Sequence, residues 1–130
     1  MKDDVTGNVL DLGCGIGVIG ISLDLYKKGL DITYSDINER CLTLVEKNLK
    51  HLGLEGEVVK SDGFEQIPGV YDTIVTNPPI SAGLDTCFDL IRNAHHHLED
   101  GGRLFVVAKH TKGGERLQKE MRKVFGYNSI

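Results

Sequence analysis

Hydrophobic and polar positions fall into blocks along this chain, and the blocks switch between a period of two and a period of about 3.6. Asn8-Val9-Leu10-Asp11-Leu12 is a short apolar run that ends in glycines, which predicts a buried strand. Val18, Ile21, Ser22 and Leu25 then share a helical face, and Gly29 closes the segment. Asp31-Ile32-Thr33-Tyr34-Ser35-Asp36 predicts a second strand from its β-branched content. Asn38 is placed to cap a helix whose stripe is Leu42, Val45, Leu49 and Leu52, stopped by Gly53. Val58-Val59 marks a third strand, ended by Ser61-Asp62-Gly63, and Tyr71 to Thr76 a fourth. Asn77-Pro78-Pro79 cannot extend that strand, because each proline lacks an N–H. A helix is expected from about Asp85 to Leu98, burying Leu84, Phe88, Ile91 and Leu98, with Asp100-Gly101-Gly102 as its turn out. Leu104 to Ala108 reads as a fifth strand, and a last helix from about Glu115 carries Leu117, Met121 and Phe125.

Strands that alternate with helices imply βαβ units, and so an α/β fold: a doubly wound, mainly parallel sheet flanked by helices. Ligands of such sheets bind beyond the carboxyl ends of the strands, at the point where the strand order reverses. That rule selects the loops at 11–20, 36–38, 62–64, 76–81 and 109–114. The length of 130 residues fits a single domain, 1–130, large enough to bury a core without staples. Forty per cent apolar and 26% charged residues, with a mean hydropathy of −0.16, exclude disordered and fibrous classes.

The composition narrows the surroundings. No apolar run reaches membrane-spanning length; the nearest, Asn8 to Leu25, is broken by Asp11, Ser22 and Asp24. Met1-Lys2-Asp3-Asp4 is too acidic to open a signal peptide. Cys14, Cys41 and Cys87 are odd in number and form no CxxC pair, so neither a disulfide framework nor a metal site is expected, and a reducing cytoplasmic setting is the simplest reading. The net charge of −4 is split unevenly. Residues 1–102 hold 8 basic and 17 acidic side chains, −9, whereas residues 103–130 hold 7 and 2, +5. A basic segment on an acidic body suits contact with a polyanion, or a solvated helix face.

Two patterns overlap in the first loop. Gly15-x-Gly17-x-x-Gly20, with Asp36 nineteen residues after Gly17, satisfies a dinucleotide fingerprint. Asp11-x-Gly13-x-Gly15-x-Gly17 satisfies that of an S-adenosylmethionine loop. Glycines allow close backbone approach in both, so the loop alone does not choose. Asp36 can accept two hydrogen bonds from a ribose diol, or favour a helix N-terminus as an acid. Asp62 can accept from an adenine amino group, or serve as a turn aspartate. Asn77-Pro78-Pro79-Ile80 separates the patterns. The Asn77 oxygen and a backbone carbonyl, that of Pro78, can accept both protons of a planar NH2 group, with the prolines holding the acceptors rigid. This withdraws the nitrogen lone pair from conjugation and aims it at an electrophile. The gain is positioning and transition-state polarity, with no general base.

On these motifs the chain resembles the class I S-adenosylmethionine-dependent methyltransferases, which have a Rossmann-like core. More narrowly it resembles the "methyltransferase small" domain of the ribosomal RNA guanine-N2 methyltransferases. The resemblance runs from about Asn8 to Phe125, and Ser61-Asp62-Gly63-Phe64 and Asp100-Gly101-Gly102 fit the narrower group. It implies that Asp11, Gly13, Gly15 and Gly17 surround the methionine part of S-adenosylmethionine. It also implies that Asp36 holds the ribose, Asp62 meets the adenine amino group, and Ile37 and Phe64 sandwich the adenine. Asn77, Pro78 and Pro79 would orient the target amine for in-line displacement at the sulfonium methyl. Ile80 and Lys109 would meet the substrate, an RNA. Where many amino-methyltransferases have an aromatic residue after Pro-Pro, this chain has Ile80, which makes adenine-N6 or glutamine targets less suitable. The family domain continues into a strand hairpin of which Asn128-Ser129-Ile130 is only the start, so an exposed sheet edge, or a segment or partner completing it, is expected.

The remaining features carry less. His95-His96-His97 lies inside the expected helix, where neighbours point about 100° apart, so no shared metal face results; His95 is expected part-buried and the other two exposed. Cys14 has no evident base partner for nucleophilic work. Lys109, His110 and Lys112 suit a phosphate backbone or plain solvation. Two other functions remain open on the residues alone: an NAD(P)-dependent oxidoreductase domain, and a non-catalytic cofactor- or RNA-binding module.

Overall fold

A computed structural model describes residues 5–78, 83–107 and 114–125. Its elements are β1 (Asn8–Leu12), α1 (Val18–Tyr26), β2 (Asp31–Asp36), α2 (Glu39–Leu52), β3 (Glu57–Lys60), β4 (Tyr71–Thr76), α3 (Leu84–His95), β5 (Leu98–Val106) and α4 (Gly114–Phe125). The strands form one sheet in the order β3-β2-β1-β4-β5, with every neighbouring pair parallel. The order reverses between β1 and β4, so the expected doubly wound α/β sheet is present and its switch point lies at the ends of those two strands.

Strand periodicity divides the core in two. Leu10 and Leu12 of β1 join Ile74, Leu104, Cys87, Ile91, Ala94 and Met121 under α3 and α4. Val9 joins Ile32, Tyr34, Val75, Ile21, Leu23, Val45 and Leu49 under α1 and α2. In α2 the Asn38 side chain accepts from Arg40 N–H at 3.0 Å, and Gly53 closes the helix in the left-handed region at φ 68°. Leu42, Val45 and Leu49 are buried as expected, but Leu52, in the last turn, is exposed.

Three local expectations give way. The buried face of α1 is Gly20, Ile21 and Leu23, while Val18, Ser22 and Leu25 face outward. The cause is Gly20: a Cβ there would stand 2.4 Å from a ring carbon of the buried Tyr34, so α1 lies closest to the sheet at the residue with no side chain. Next, α3 ends at His95, capped by His96, and β5 begins at Leu98. Tyr71 pairs with Leu98 but Thr73 with Arg103, so Asp100-Gly101-Gly102 is a bulge within β5 and not a turn before it. At Gly102 a Cβ would meet Glu99 O at 2.8 Å, which is why the bulge takes glycine. Finally, the histidines exchange roles. His95 and His96 are exposed, while the half-buried His97 brings Nδ1 within 2.9 Å of Gly69 O and stacks on Phe64 with centroids 4.4 Å apart.

The expected hairpin at Asn128-Ser129-Ile130 and its open edge lie outside the described residues, as do Ala108 and the side chains of Leu117 and Phe125. Among the described residues no helix is long and apolar enough to cross a membrane, and no cluster of His, Cys, Asp and Glu could hold a metal.

Candidate functional site

At the switch point Thr76 Oγ donates to Leu12 O at 2.9 Å, tying the ends of β4 and β1 together in the interior. A cavity of about 250 Å³ opens beyond them, lined by residues that include Gly13, Asp36, Ile37, Asp62 and Asn77. Four separate loops of the sequence thus meet in one place. Thr86 and Leu90 of α3 also line it, although no spacing in the chain singled them out. Their helix is held beside the cavity by Cys87, Ile91 and Ala94, which are buried in the core on its other face.

The glycine loop is shaped by two aspartates. Gly13 and Gly15 have φ of 65° and 56°, and a Cβ on either would meet nothing within 4 Å, so both face open space. Gly15 N–H donates to Asp36 Oδ2 at 2.9 Å, and Asn38 N–H to Asp36 Oδ1 at 2.8 Å. Gly20 N–H, in the first turn of α1, donates to Asp11 Oδ2 at 3.0 Å. Asp11 is 1% exposed, and burial raises its pKa to about 6 against the relief of that hydrogen bond, with Asp36 adding repulsion. Burial and the same two carboxylates push the Cys14 thiol up to about 12, so it stays protonated and inert. The loop is therefore electronegative, and two of its backbone donors are already taken by carboxylates.

Asp62 follows β3 in a turn in which Gln66 N–H donates to Ser61 Oγ at 3.0 Å and Asp62 N–H to Gln66 Oε1 at 3.1 Å. Among the described residues no donor reaches the exposed Asp62 carboxylate. Asn77 is exposed at the cavity mouth and Pro78 is buried behind it. Other expected site residues sit elsewhere. Asp11 and Gly17 are buried beneath the loop, where Gly17 packs on Ile21 and Val45, and the half-buried Gly15 is not among the residues lining the cavity. Phe64 is half-buried against His97 and does not line the cavity. Pro79, Ile80, Lys109, His110 and Lys112 lie outside the described residues.

Comparison with known proteins agrees with this geometry. A family model described as "Methyltransferase small domain" matches residues 1–130. The chain belongs to the methyltransferase small domain family. It is 42% identical over 112 residues to the "Ribosomal RNA small subunit methyltransferase C" of Mannheimia succiniciproducens, covering 83% of this chain and 34% of that protein. It is 44% identical over 110 residues to the protein of the same name from Actinobacillus pleuropneumoniae, covering 82% and 33%. The chain thus spans about a third of the length of the curated relatives it matches. Among solved structures it resembles a 16S rRNA N2 methyltransferase of T. thermophilus in complex with AdoMet and guanosine, with TM-score 0.79, 28% identity, and coverage of 92% of this chain and 32% of that one. A methyltransferase from Pyrococcus furiosus, at TM-score 0.76 and 20% identity over 88% of this chain and 62% of that one, shares the fold.

Proposed function

We propose that residues 1–130 form one S-adenosylmethionine-dependent methyltransferase domain acting on the exocyclic N2 amino group of a guanine in ribosomal RNA. The observation that carries this reading is the cavity that joins Gly13, Asp36, Ile37 and Asp62 to Asn77. The names of the long relatives and of the T. thermophilus structure supply the substrate class.

The residues present fit the cofactor. Gly13 leaves the space that its methionine part needs, and Asp62 keeps a carboxylate that no donor among the described residues reaches, free to accept from an adenine amino group. Each Asp36 oxygen accepts one backbone N–H and retains a lone pair for a ribose hydroxyl. Ile37 offers apolar surface to the adenine, and Leu90 takes the part expected of Phe64. Asp11 acts at one remove, by holding the first turn of α1 and adding negative charge below the loop. The bound cofactor supplies an electrophilic methyl group on a sulfonium.

Asn77 Oδ1 accepts a hydrogen bond from one N–H of the target amine and the Pro78 carbonyl from the other, which fixes the nitrogen lone pair toward the cavity, and the methylated nitrogen then releases one proton to solvent. Pro79 stiffens that turn and Ile80 contacts the base, parts that rest on the sequence motif, and Lys109, just after the fifth strand, meets a phosphate. A dinucleotide fits poorly. Its pyrophosphate needs free N–H donors at the glycine loop, and those of Gly15 and Gly20 are bonded to carboxylates.

The test is Asn77→Ala. Methyl transfer to a guanine-containing RNA should fall by about 10²–10³, while calorimetric titration with S-adenosylmethionine or S-adenosylhomocysteine stays within twofold of the parent. Surviving turnover would remove Asn77 from the mechanism. Absence of cofactor binding in the parent chain would remove the whole reading.

A further inference from the structure

The helices of this domain differ in the charge of their exposed faces. That of α2 mixes signs, with Glu39, Arg40, Glu46, Lys47 and Lys50. That of α3 does too, with Asp85, Asp89 and Arg92. On α4 the sequence sets Arg116, Lys119, Arg122 and Lys123 against Glu115 and Glu120, and of these Arg116, Lys119 and Arg122 are described as exposed. None of the three has a partner among the described residues. The acid within their span, Glu120, is 8% exposed and bonded at 2.9 Å to Arg92 of α3, so it cannot neutralise them. The signs are close to balanced on α2 and α3, whereas on α4 cations outnumber acids and the buried acid is already paired.

Position adds to charge. β5 is parallel to β4, so its carboxyl end, from which the chain leads to α4, is the end at which Asn77 stands. Arg116 is in the first turn of α4, and successive members of the row lie about 4.5 Å apart along the helix axis. Glu120 and Met121 are buried on the other side, and the ion pair to Arg92 fixes the helix against α3.

We infer that Arg116, Lys119 and Arg122 form a docking row for the sugar-phosphate backbone of the RNA whose guanine enters the cavity. The row presupposes the RNA substrate proposed above. Its contribution is sequence-independent and electrostatic: phosphate contacts position the strand and do not select the base.

The experiment compares the full chain with its R116Q/K119Q/R122Q variant. A fluorescent single-stranded RNA is titrated by anisotropy at several salt concentrations, and cofactor binding is measured separately. Three lost phosphate contacts should flatten the slope of log affinity against log salt by about 2, and weaken binding at 0.1 M salt by up to about a hundredfold. S-adenosylhomocysteine affinity and the thermal midpoint should stay at parental values, and R116K/K119R/R122K should bind RNA as the parent does. An unchanged salt slope overturns the inference, as does a parent chain that binds vesicles containing phosphatidylserine but no RNA. If the parent binds RNA through this row but takes up no cofactor, the methyltransferase reading fails while the docking row stands.

Discussion

Gly20→Ala should destabilise this domain, against the usual expectation for a glycine inside a helix. Gly20 sits in α1 with an ordinary helical backbone, and at such a site alanine normally gains about 1 kcal/mol. Here the new Cβ would stand 2.4 Å and 3.0 Å from two ring carbons of Tyr34 and 2.8 Å from Asp11 Oδ2. Tyr34 is wholly buried within the sheet and has no free direction in which to retreat. Overpacking of this kind costs about 1–3 kcal/mol. Lifting α1 also stretches the Gly20 to Asp11 hydrogen bond, and a buried carboxylate left short of a donor costs a further ~1–3 kcal/mol. Subtracting the helix gain leaves a net loss of about 1–5 kcal/mol, a large share of a typical stability of ~5–15 kcal/mol. Urea unfolding followed by circular dichroism should show the midpoint falling by about 1–2 M with an unchanged slope. Combining the substitution with Tyr34→Leu should cost less than the two losses summed, because the ring that clashes is gone. A Gly20→Ala midpoint at or above the parent, or strict additivity with Tyr34→Leu, would refute the packing explanation.

Further outcomes follow from the same loop. Gly13→Ala meets no steric obstacle but must hold φ near 65°, so it should lower stability by only about 1–2 kcal/mol and weaken S-adenosylhomocysteine binding more than tenfold by calorimetry, since its Cβ projects into open space at the cavity. Asp36→Asn loses one acceptor for the Gly15 and Asn38 N–H groups, and should cost about 1.5–3 kcal/mol of stability together with cofactor affinity. Asp11 ionises at a higher pH in the folded chain than in the unfolded one, so its contribution is fully present below about pH 4 and is lost as the pH rises through about 6. The stability difference between Asp11→Asn and the parent should therefore shift in favour of the variant by up to ~3 kcal/mol between pH 4 and pH 7, read from paired urea midpoints; a difference that does not change with pH would show that Asp11 is not perturbed by burial.

Much of the architecture was readable along the chain because local signals and tertiary packing agreed. The runs at Asn8–Leu12 and Tyr71–Thr76 are apolar enough to require burial on both faces, and Asn38 and Gly53 bound α2 by caps that operate within a turn. The motif residues Gly13, Asp36, Asp62 and Asn77 were findable because a parallel sheet sends the end of every strand to one edge, wherever those residues lie in sequence. What stayed hidden depended on contacts between distant segments. The rotation of α1 was decided by the fit of Gly20 against Tyr34, which hydrophobic periodicity cannot register. The place of Phe64 was decided by its stack on His97, a partner 33 positions away beyond the end of α3. Thr86 and Leu90 reached the cavity because α3, packed on the sheet through Cys87, Ile91 and Ala94, turns that face toward it. The sequence by itself determined the order of elements and the chemistry at the strand ends, since both follow from residue type and short-range spacing. Only the tertiary structure decided which of those residues face the cavity and which support it from below, because that turns on the packing of whole helices against the sheet.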